Sequence, residues 1–187
     1  MFQPINQEIW ERREHYAYYT KTLPCGYSVT VRLDVTNLYE EVKRHGLKFY
    51  PAFIYCASKA VNEMKEFRMG KDAEGNPGIW DVVHPNYTIF HEDDHTFSDI
   101  WSYYDEDFSI CYENITADME RYKDCKGTWV PGGEPNLFPI ITFGKYTESE
   151  GRKKLSAALT IGHAAADGYH VSQLFKRLQE ILSDIQF

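Results

Sequence analysis

"LSAALTIGHAAADGYHVSQLFKRLQEIL", residues 155–182, decides the fold. In its first part Leu155, Ala157, Leu159 and Ile161 alternate with Ser156, Ala158 and Thr160. A period of two marks a strand with one buried face. After Gly168 the period changes, and Val171, Leu174, Phe175, Leu178, Ile181, Leu182 and Ile185 recur at helical spacing. A strand therefore runs into a helix through the short corner HAAADG, 163–168. Such a corner holds a side chain rigidly and leaves its tip accessible. This one carries an imidazole, His163, and a carboxylate, Asp167, with three alanines between them.

Upstream, "PIITFGKY" at 139–146 reads as a strand joined to "KLSAALTIG" by the turn-rich "TESEGRK". "SVTVRLDVT" at 28–36 alternates, with Val29, Val31, Leu33 and Val35 on one face. "NLYEEVKRHG" at 37–46 is a short helix closed by Gly46, and Pro51 suits the first turn of a helix over 51–67. That helix carries a stripe of Phe53, Ala57, Val61 and Met64. "IWDVV" at 79–83 and "YTIF" at 87–90 are expected strands, and residues 107–123 an expected helix. "ERREHYAYYTKTL" at 11–23 has helix-like spacing diluted by aromatics, and "CKGTWVPGGEPN" at 125–136 is a loop. Strands and helices interleave, yet hairpin pairings occur. The expectation is one α/β domain over 1–187, a two-layer sandwich with a mixed sheet packed on helices.

A chain of 187 residues can bury a core without covalent staples. Aromatic residues make up 16%, enough to line a pocket or an interface, or simply to fill a ring-rich core. The net charge of −8 comes with no clustered basic face, which argues against nucleic acid. "MFQPINQEIWERRE" turns polar at once, so neither signal peptide nor membrane span is expected, and the default location is cytoplasmic. Cys25, Cys56, Cys111 and Cys125 have no metal-ligand spacing and are expected as free thiols. His170 and the acidic "HEDDH" at 91–95 fix no ligand geometry, and the bland reading there is a solvated turn.

Histidine suits proton abstraction near neutral pH, so His163 is a candidate general base; the bland alternative is a structural histidine. Asp167 has three readings: it orients His163, it pairs with a distant cation such as one in "WERREH", or it caps the last helix. Gly168 directly behind would permit a conformation that other residues resist.

These residues carry a resemblance. The chain resembles the trimeric chloramphenicol acetyltransferases, whose signature is His-x-x-x-Asp-Gly. "WERREHY" at 10–16, "LPCGYSVTVRLDVTNL" at 23–38, "LKFYPAFIY" at 47–55, "EFRM" at 66–69 and "VHPNYTIFHEDDHTFSDIW" at 83–101 look like family segments in the family's order. So do "PIITFGKY" and "DGYHVSQLFKRLQE" at 167–180. The resemblance implies acetyl transfer from acetyl-CoA to a hydroxyl of chloramphenicol, and hence resistance to that antibiotic. It implies direct attack with His163 as base, no acyl-enzyme and no metal. Asp167 becomes structural and pairs with Arg12, in a bidentate way. Tyr18, Tyr19, Leu23, Cys25, Tyr27, Phe97, Ser98 and Thr142 are implied around the acceptor, and Lys145 and Tyr146 beside the CoA adenosine. A homotrimer with active sites between subunits is implied as well.

The chain departs from the family pattern in two places. Gly162 and Ala166 replace a histidine and a cysteine usual in the signature. A strand-rich stretch normally found between "GGEPN" and "LFPIIT" is missing, with only two residues from Asn136 to Pro139. In the family that stretch supplies an oxyanion-stabilising serine and part of the pocket wall. Two other readings therefore stay open: a weakly active or non-catalytic relative that still binds CoA or ligand, and an acetyltransferase for another hydroxyl acceptor.

Overall fold

A computed structural model describes residues 1–127 and 138–187. The elements, in chain order, are β1 (Phe2–Pro4), α1 (Arg13–Ala17), β2 (Gly26–Asp34), α2 (Thr36–Arg44), α3 (Phe49–Asn62), β3 (Met69–Lys71) and β4 (Pro77–Trp80). Then follow β5 (Asn86–His91), β6 (Thr96–Trp101), α4 (Phe108–Arg121), β7 (Ile140–Phe143), β8 (Thr147–Ser149), β9 (Arg152–Gly162) and α5 (Gly168–Asp184).

The central sheet has the order β2-β9-β7, with β8 also paired to β9. β2 and β9 match along their length, from Gly26↔Gly162 to Asp34↔Lys154. β7 lies on the other side of β9, from Ile140↔Thr160 to Phe143↔Ala157. Two smaller sheets are β1-β4-β3 and the β5–β6 hairpin. The α/β sandwich is as expected. Each strand pair among the described residues runs antiparallel, where a mixture was expected.

Alternation does its work on β2 and β9. Leu33, Leu155, Ala157, Leu159 and Ile161 are buried, while Ser28, Thr30, Arg32, Ser156 and Thr160 stand on the exposed face. The covering helix α5 buries Val171, Leu174, Phe175, Leu178, Ile181 and Leu182. Gln179 of α5 clips onto β2, accepting from Asp34 N at 2.8 Å and donating to Asp34 O at 3.0 Å. α3 is buried from Pro51 to Val61 on almost every side, because it lies against α2, α4 and α5. α2 ends where Gly46 takes a φ of 67°. Asp107 caps α4 by accepting from Ser109 N and Ile110 N.

Four details differ from the sequence pattern. The stretch 11–23 is α1 followed by a π-helical turn over Tyr18–Thr22, closed by a bond from Leu23 N to Tyr18 O at 2.9 Å. The expected helix over 51–67 stops at Asn62, whose side chain donates to Val83 O and accepts from Val83 N, each at 2.8 Å. A 3₁₀ turn over Lys65–Arg68 follows. The same clasp on Val83 draws "DVV" out of the expected strand, and β4 ends at Trp80. β6 is a strand the pattern did not announce; "HEDDH" is the turn that joins β5 to it. The expected loop 125–136 lies mostly outside the described residues.

Leu178 of α5 is fully buried. Leu178→Ala should cost about 2–5 kcal/mol in urea unfolding, as cavity-forming substitutions do. Tyr169→Ala, on the exposed side of the same helix, should change stability by less than about 0.5 kcal/mol.

Candidate active site

The β2–β9 ladder sets the place of His163. One more backbone bond extends it, from His163 N to Cys25 O at 2.9 Å. The strands are close here: a Cβ on Gly26 would come within 3.0 Å of Ile161 O. The His163 ring lies flat on Tyr19, with centroids 3.9 Å apart and planes 4° apart, and Tyr27 leans against it at 4.9 Å. The Nδ1 atom of His163 is enclosed and has no hydrogen-bond partner among the described residues. The neighbouring Tyr27 hydroxyl is pushed up to about 12, first by burial and then by the Asp167 carboxylate, against an opposing pull from Arg12. At neutral pH it is a protonated phenol.

The loop behind His163 is held at its far end. Ala164, Ala165 and Ala166 are buried, and Ala165 N bonds Gly162 O at 3.0 Å. Asp167 caps α5: its Oδ1 accepts from Tyr169 N at 3.1 Å and from His170 Nδ1 at 2.8 Å. Its Oδ2 accepts from Arg12 at 2.8 Å, across 155 positions of chain. Burial alone would raise this carboxyl. The Arg12 hydrogen bond and the charge of His170 outweigh it, and the group titrates at about 2. Asp167 thus fills the pairing and capping roles, and no hydrogen bond joins it to the His163 ring among the described residues. The contact with Arg12 is a single bond through one terminal nitrogen, not the expected two. Gly168 opens α5 with no positive φ, and a Cβ there would meet nothing within 4 Å, so the helix start itself does not require glycine.

Tyr19 is half-buried and the exposed Tyr18 packs edge-on against it at 5.1 Å; Leu23 and Cys25, further along the same segment, are exposed too. The remaining residues lie apart. Phe97 is exposed on the β5–β6 hairpin opposite Phe90. Ser98 turns inward, its hydroxyl 2.8 Å from His91 Nε2 and 2.5 Å from Cys125 O. Thr142 stands on the exposed sheet face opposite Ala158. Lys145 is exposed, and the Tyr146 ring packs edgewise on Tyr39 at 5.2 Å and tilted on Phe49 at 5.5 Å. Sequence reasoning missed Lys153, whose Nζ sits 4.2 Å from the Tyr39 ring and 5.3 Å from the Tyr146 ring. It also missed Glu66, which faces His170. Among the described residues no group of three or more His, Cys, Asp or Glu is placed to hold a metal ion.

This arrangement has known counterparts. The family model described as chloramphenicol acetyltransferase matches residues 1–136. The chain belongs to the chloramphenicol acetyltransferase family. It is 35% identical to a chloramphenicol acetyltransferase of Clostridium perfringens over 211 residues, covering 99% of this chain and 96% of that one. It is 35% identical to that of Proteus mirabilis, with 94% and 92% covered, and 32% identical to that of Vibrio anguillarum, with 99% and 96% covered. A solved chloramphenicol acetyltransferase superposes with a TM-score of 0.84 at 23% identity, covering 97% of this chain and all of that one. The dihydrolipoamide acetyltransferase of Azotobacter vinelandii shares the fold at a TM-score of 0.62, with 16% identity and 91% and 86% covered.

The comparison also bears on the missing stretch. The alignment of 211 residues is longer than the 187-residue chain, so the Clostridium enzyme has residues with no counterpart here. The family-model match ends at Asn136, where the sequence places the gap. Asn136 itself lies outside the described residues.

Arg12→Ala and Asp167→Ala should each destabilise the fold by roughly 1–3 kcal/mol, toward the low end because both groups are partly solvated. The double variant should be little worse than either single one in a thermal-unfolding cycle; additive losses would show that the pair does not interact. The Asp167 carboxyl is depressed in the folded state, so its contribution is complete above about pH 4, the unfolded value. It is lost as the pH falls toward about 2. Asp167→Asn should flatten the stability profile in that window.

Proposed function

We propose that this acyltransferase-family chain moves an acetyl group from acetyl-CoA to a hydroxyl of chloramphenicol, with His163 as general base. The observation that carries the reading is the mounting of His163: Nδ1 enclosed, the ring flat on Tyr19, and an exposed Tyr18 edge-on against that Tyr19. A ring fixed in this way presents Nε2 to an acceptor hydroxyl. Nε2 takes the hydroxyl proton as the oxygen attacks the thioester carbonyl carbon. The tetrahedral oxyanion collapses, the carbon–sulfur bond breaks, and the imidazolium returns its proton to the leaving thiolate. The protein forms no covalent bond, so no Ser or Cys nucleophile is needed. Tyr27, protonated at neutral pH, is a donor beside the base rather than a second base. Arg12 and Asp167 act as positioning residues.

We place the acceptor against Tyr18, Tyr19, Leu23, Cys25, Tyr27 and Phe97, with Thr142 near the reacting carbonyl and Ser98 behind Phe97. Lys145 and Tyr146 take the CoA adenosine, with Lys153 as an added cation. These residues form separate groups within one chain. Thr142 pairs with Ala158, and the five residues of β9 up to His163 span roughly 16 Å at the rise of a strand. A site that needs both groups is completed by a second copy, which supports a homotrimer with cyclic symmetry. No helix among the described residues is long and apolar enough to cross a membrane. We assign the enzyme to the cytoplasm, where acetyl-CoA is at hand.

A second reading has its own observation. The family match stops at Asn136, and the stretch absent after it carries an oxyanion donor in the family. Loss of one such donor costs on the order of 10²–10³ in rate. Turnover should therefore be weak, unless Thr142 or an ordered water takes over that role.

Thiol release from acetyl-CoA tests the reading, measured with and without chloramphenicol. His163→Ala should abolish acceptor-dependent release while acetyl-CoA still binds; undiminished turnover would make His163 a core residue. Grafting a family-like segment between Asn136 and Pro139 should raise kcat more than it lowers KM, because an oxyanion donor acts on the transition state. A graft that left kcat unchanged would show that the ungrafted chain already stabilises the oxyanion.

A further inference from the structure

His170 is the titratable side chain closest to the catalytic loop that the reaction leaves without a task. It lies one helical turn beyond Asp167 and is mostly buried, with 15% of its side chain exposed. Its Nδ1 is 2.8 Å from Asp167 Oδ1, and its Nε2 is 3.9 Å from Glu66 Oε1 in the 3₁₀ turn after α3. Glu66 is equally enclosed, at 16%. Among the described residues the one ring against it is Tyr169, edge-on at 5.5 Å, and Arg12 reaches it through the far oxygen of Asp167.

The partner decides the role of Nδ1. An ionised carboxylate accepts and has no proton to give, so an Nδ1 at 2.8 Å from Asp167 must carry the hydrogen. The Asp167 N–H also approaches Nδ1, at 3.3 Å. A protonated Nδ1 cannot accept it, so the two contacts are alternatives, and the shorter one, to a charged oxygen, is the stronger. Nε2 faces the Glu66 carboxylate at 3.9 Å, beyond hydrogen-bond distance, so Glu66 walls the ring in rather than bonding it. Each oxygen of Asp167 then has its own side-chain donor, Arg12 on Oδ2 and His170 on Oδ1. Arg12 and the Tyr169 N–H hold the carboxylate at one point on each oxygen; His170 adds a third hold, from a side chain that is itself enclosed.

We propose that His170 is a positioning residue for His163: enclosed against Glu66, it donates from Nδ1 to Asp167, and so locks the loop 163–167 that carries the base. The chain of contacts runs Arg12–Asp167–His170–Glu66 and brings two separate segments, the N-terminal one and the 3₁₀ turn after α3, to one loop end. The proposal rests on the reading of His163 as the base. Its structural half, the fixing of the His163 ring, stands on the contacts alone.

The stack on Tyr19 supplies a probe independent of turnover. Tyr19 lies flat on His163, so its ring current should move the His163 ring protons upfield in ¹H–¹³C spectra, with assignment by loss of the peak in His163→Ala. His170→Leu should move those signals back toward free histidine and lower kcat by on the order of 10-fold to 10²-fold with KM for chloramphenicol unchanged, as small misplacements of a reacting group do. His170→Asn keeps a donor at the place of Nδ1 and should restore both the shift and most of kcat. Glu66→Gln, the mildest change, should move the His163 signals in the same direction and by less. Thermal unfolding shows that each variant is folded; if His170→Leu is not, the Asn and Gln variants carry the test. Unmoved His163 signals in folded His170→Leu, or equal losses in the Leu and Asn variants, would overturn the proposal. A wild-type chain without turnover contradicts the proposed reaction, and the ring shifts then decide the role of His170 by themselves.

Discussion

The antiparallel ladder between β2 and β9 governs everything else in this molecule. It runs from Asp34↔Lys154 to Gly26↔Gly162 without a break. Its buried face, alternating on both strands, gives α5 and α2 something to cover. Its length fixes where β9 stops, and so where His163 leaves the sheet, with a last bond to Cys25 O. A one-residue slip would send Leu155, Leu159 and Ile161 to the solvent face, so the buried face itself enforces the register that places the imidazole.

Both ends of this ladder are tied by carboxylates. At one end Asp34 holds Lys154 at 2.7 Å and Arg152 at 2.8 Å. Those bonds, with Thr36, keep its carboxyl far below the usual range although burial opposes them. At the other end Asp167 holds Arg12 and His170. The two ties differ in consequence. Asp34 fastens strand to strand, where the backbone ladder already does most of the work. Asp167 fastens a loop that leaves the ladder after His163 N to Cys25 O and then has only the bond from Ala165 N to Gly162 O before α5 begins, among the described residues. Side-chain charge therefore matters more at the His163 end, where propensity and burial leave the backbone least determined.

The legible parts of the sequence were those with a clean period. β2 and β9 follow from Val29, Val31, Leu33 and from Leu155 to Ile161, and α5 from Val171 to Leu182. The pairing of Arg12 with Asp167 followed from family likeness, since nothing local joins residues 155 positions apart. The turn at Tyr18–Thr22 stayed hidden because its hydrogen-bond shift leaves no mark on aromatic spacing. The inward aim of Ser98 stayed hidden because a strand pattern of TFSDIW does not reveal which neighbour, here His91 and Cys125, will claim a hydroxyl. His170 was visible as a residue but not as a contact, because Glu66 comes from a segment far away in the chain. Local chemistry can be read in one dimension; a bridge between segments needs the fold.

The account makes one chemical commitment above the others: the acetyl group passes straight from sulfur to the acceptor oxygen, with His163 moving only a proton. Intact mass of the protein after incubation with acetyl-CoA, with no acceptor present, tests this most directly. The account predicts an unmodified chain and no release of thiol until chloramphenicol is added. A chain that gains an acetyl group before any acceptor is present, and passes it on when chloramphenicol arrives, would contradict it.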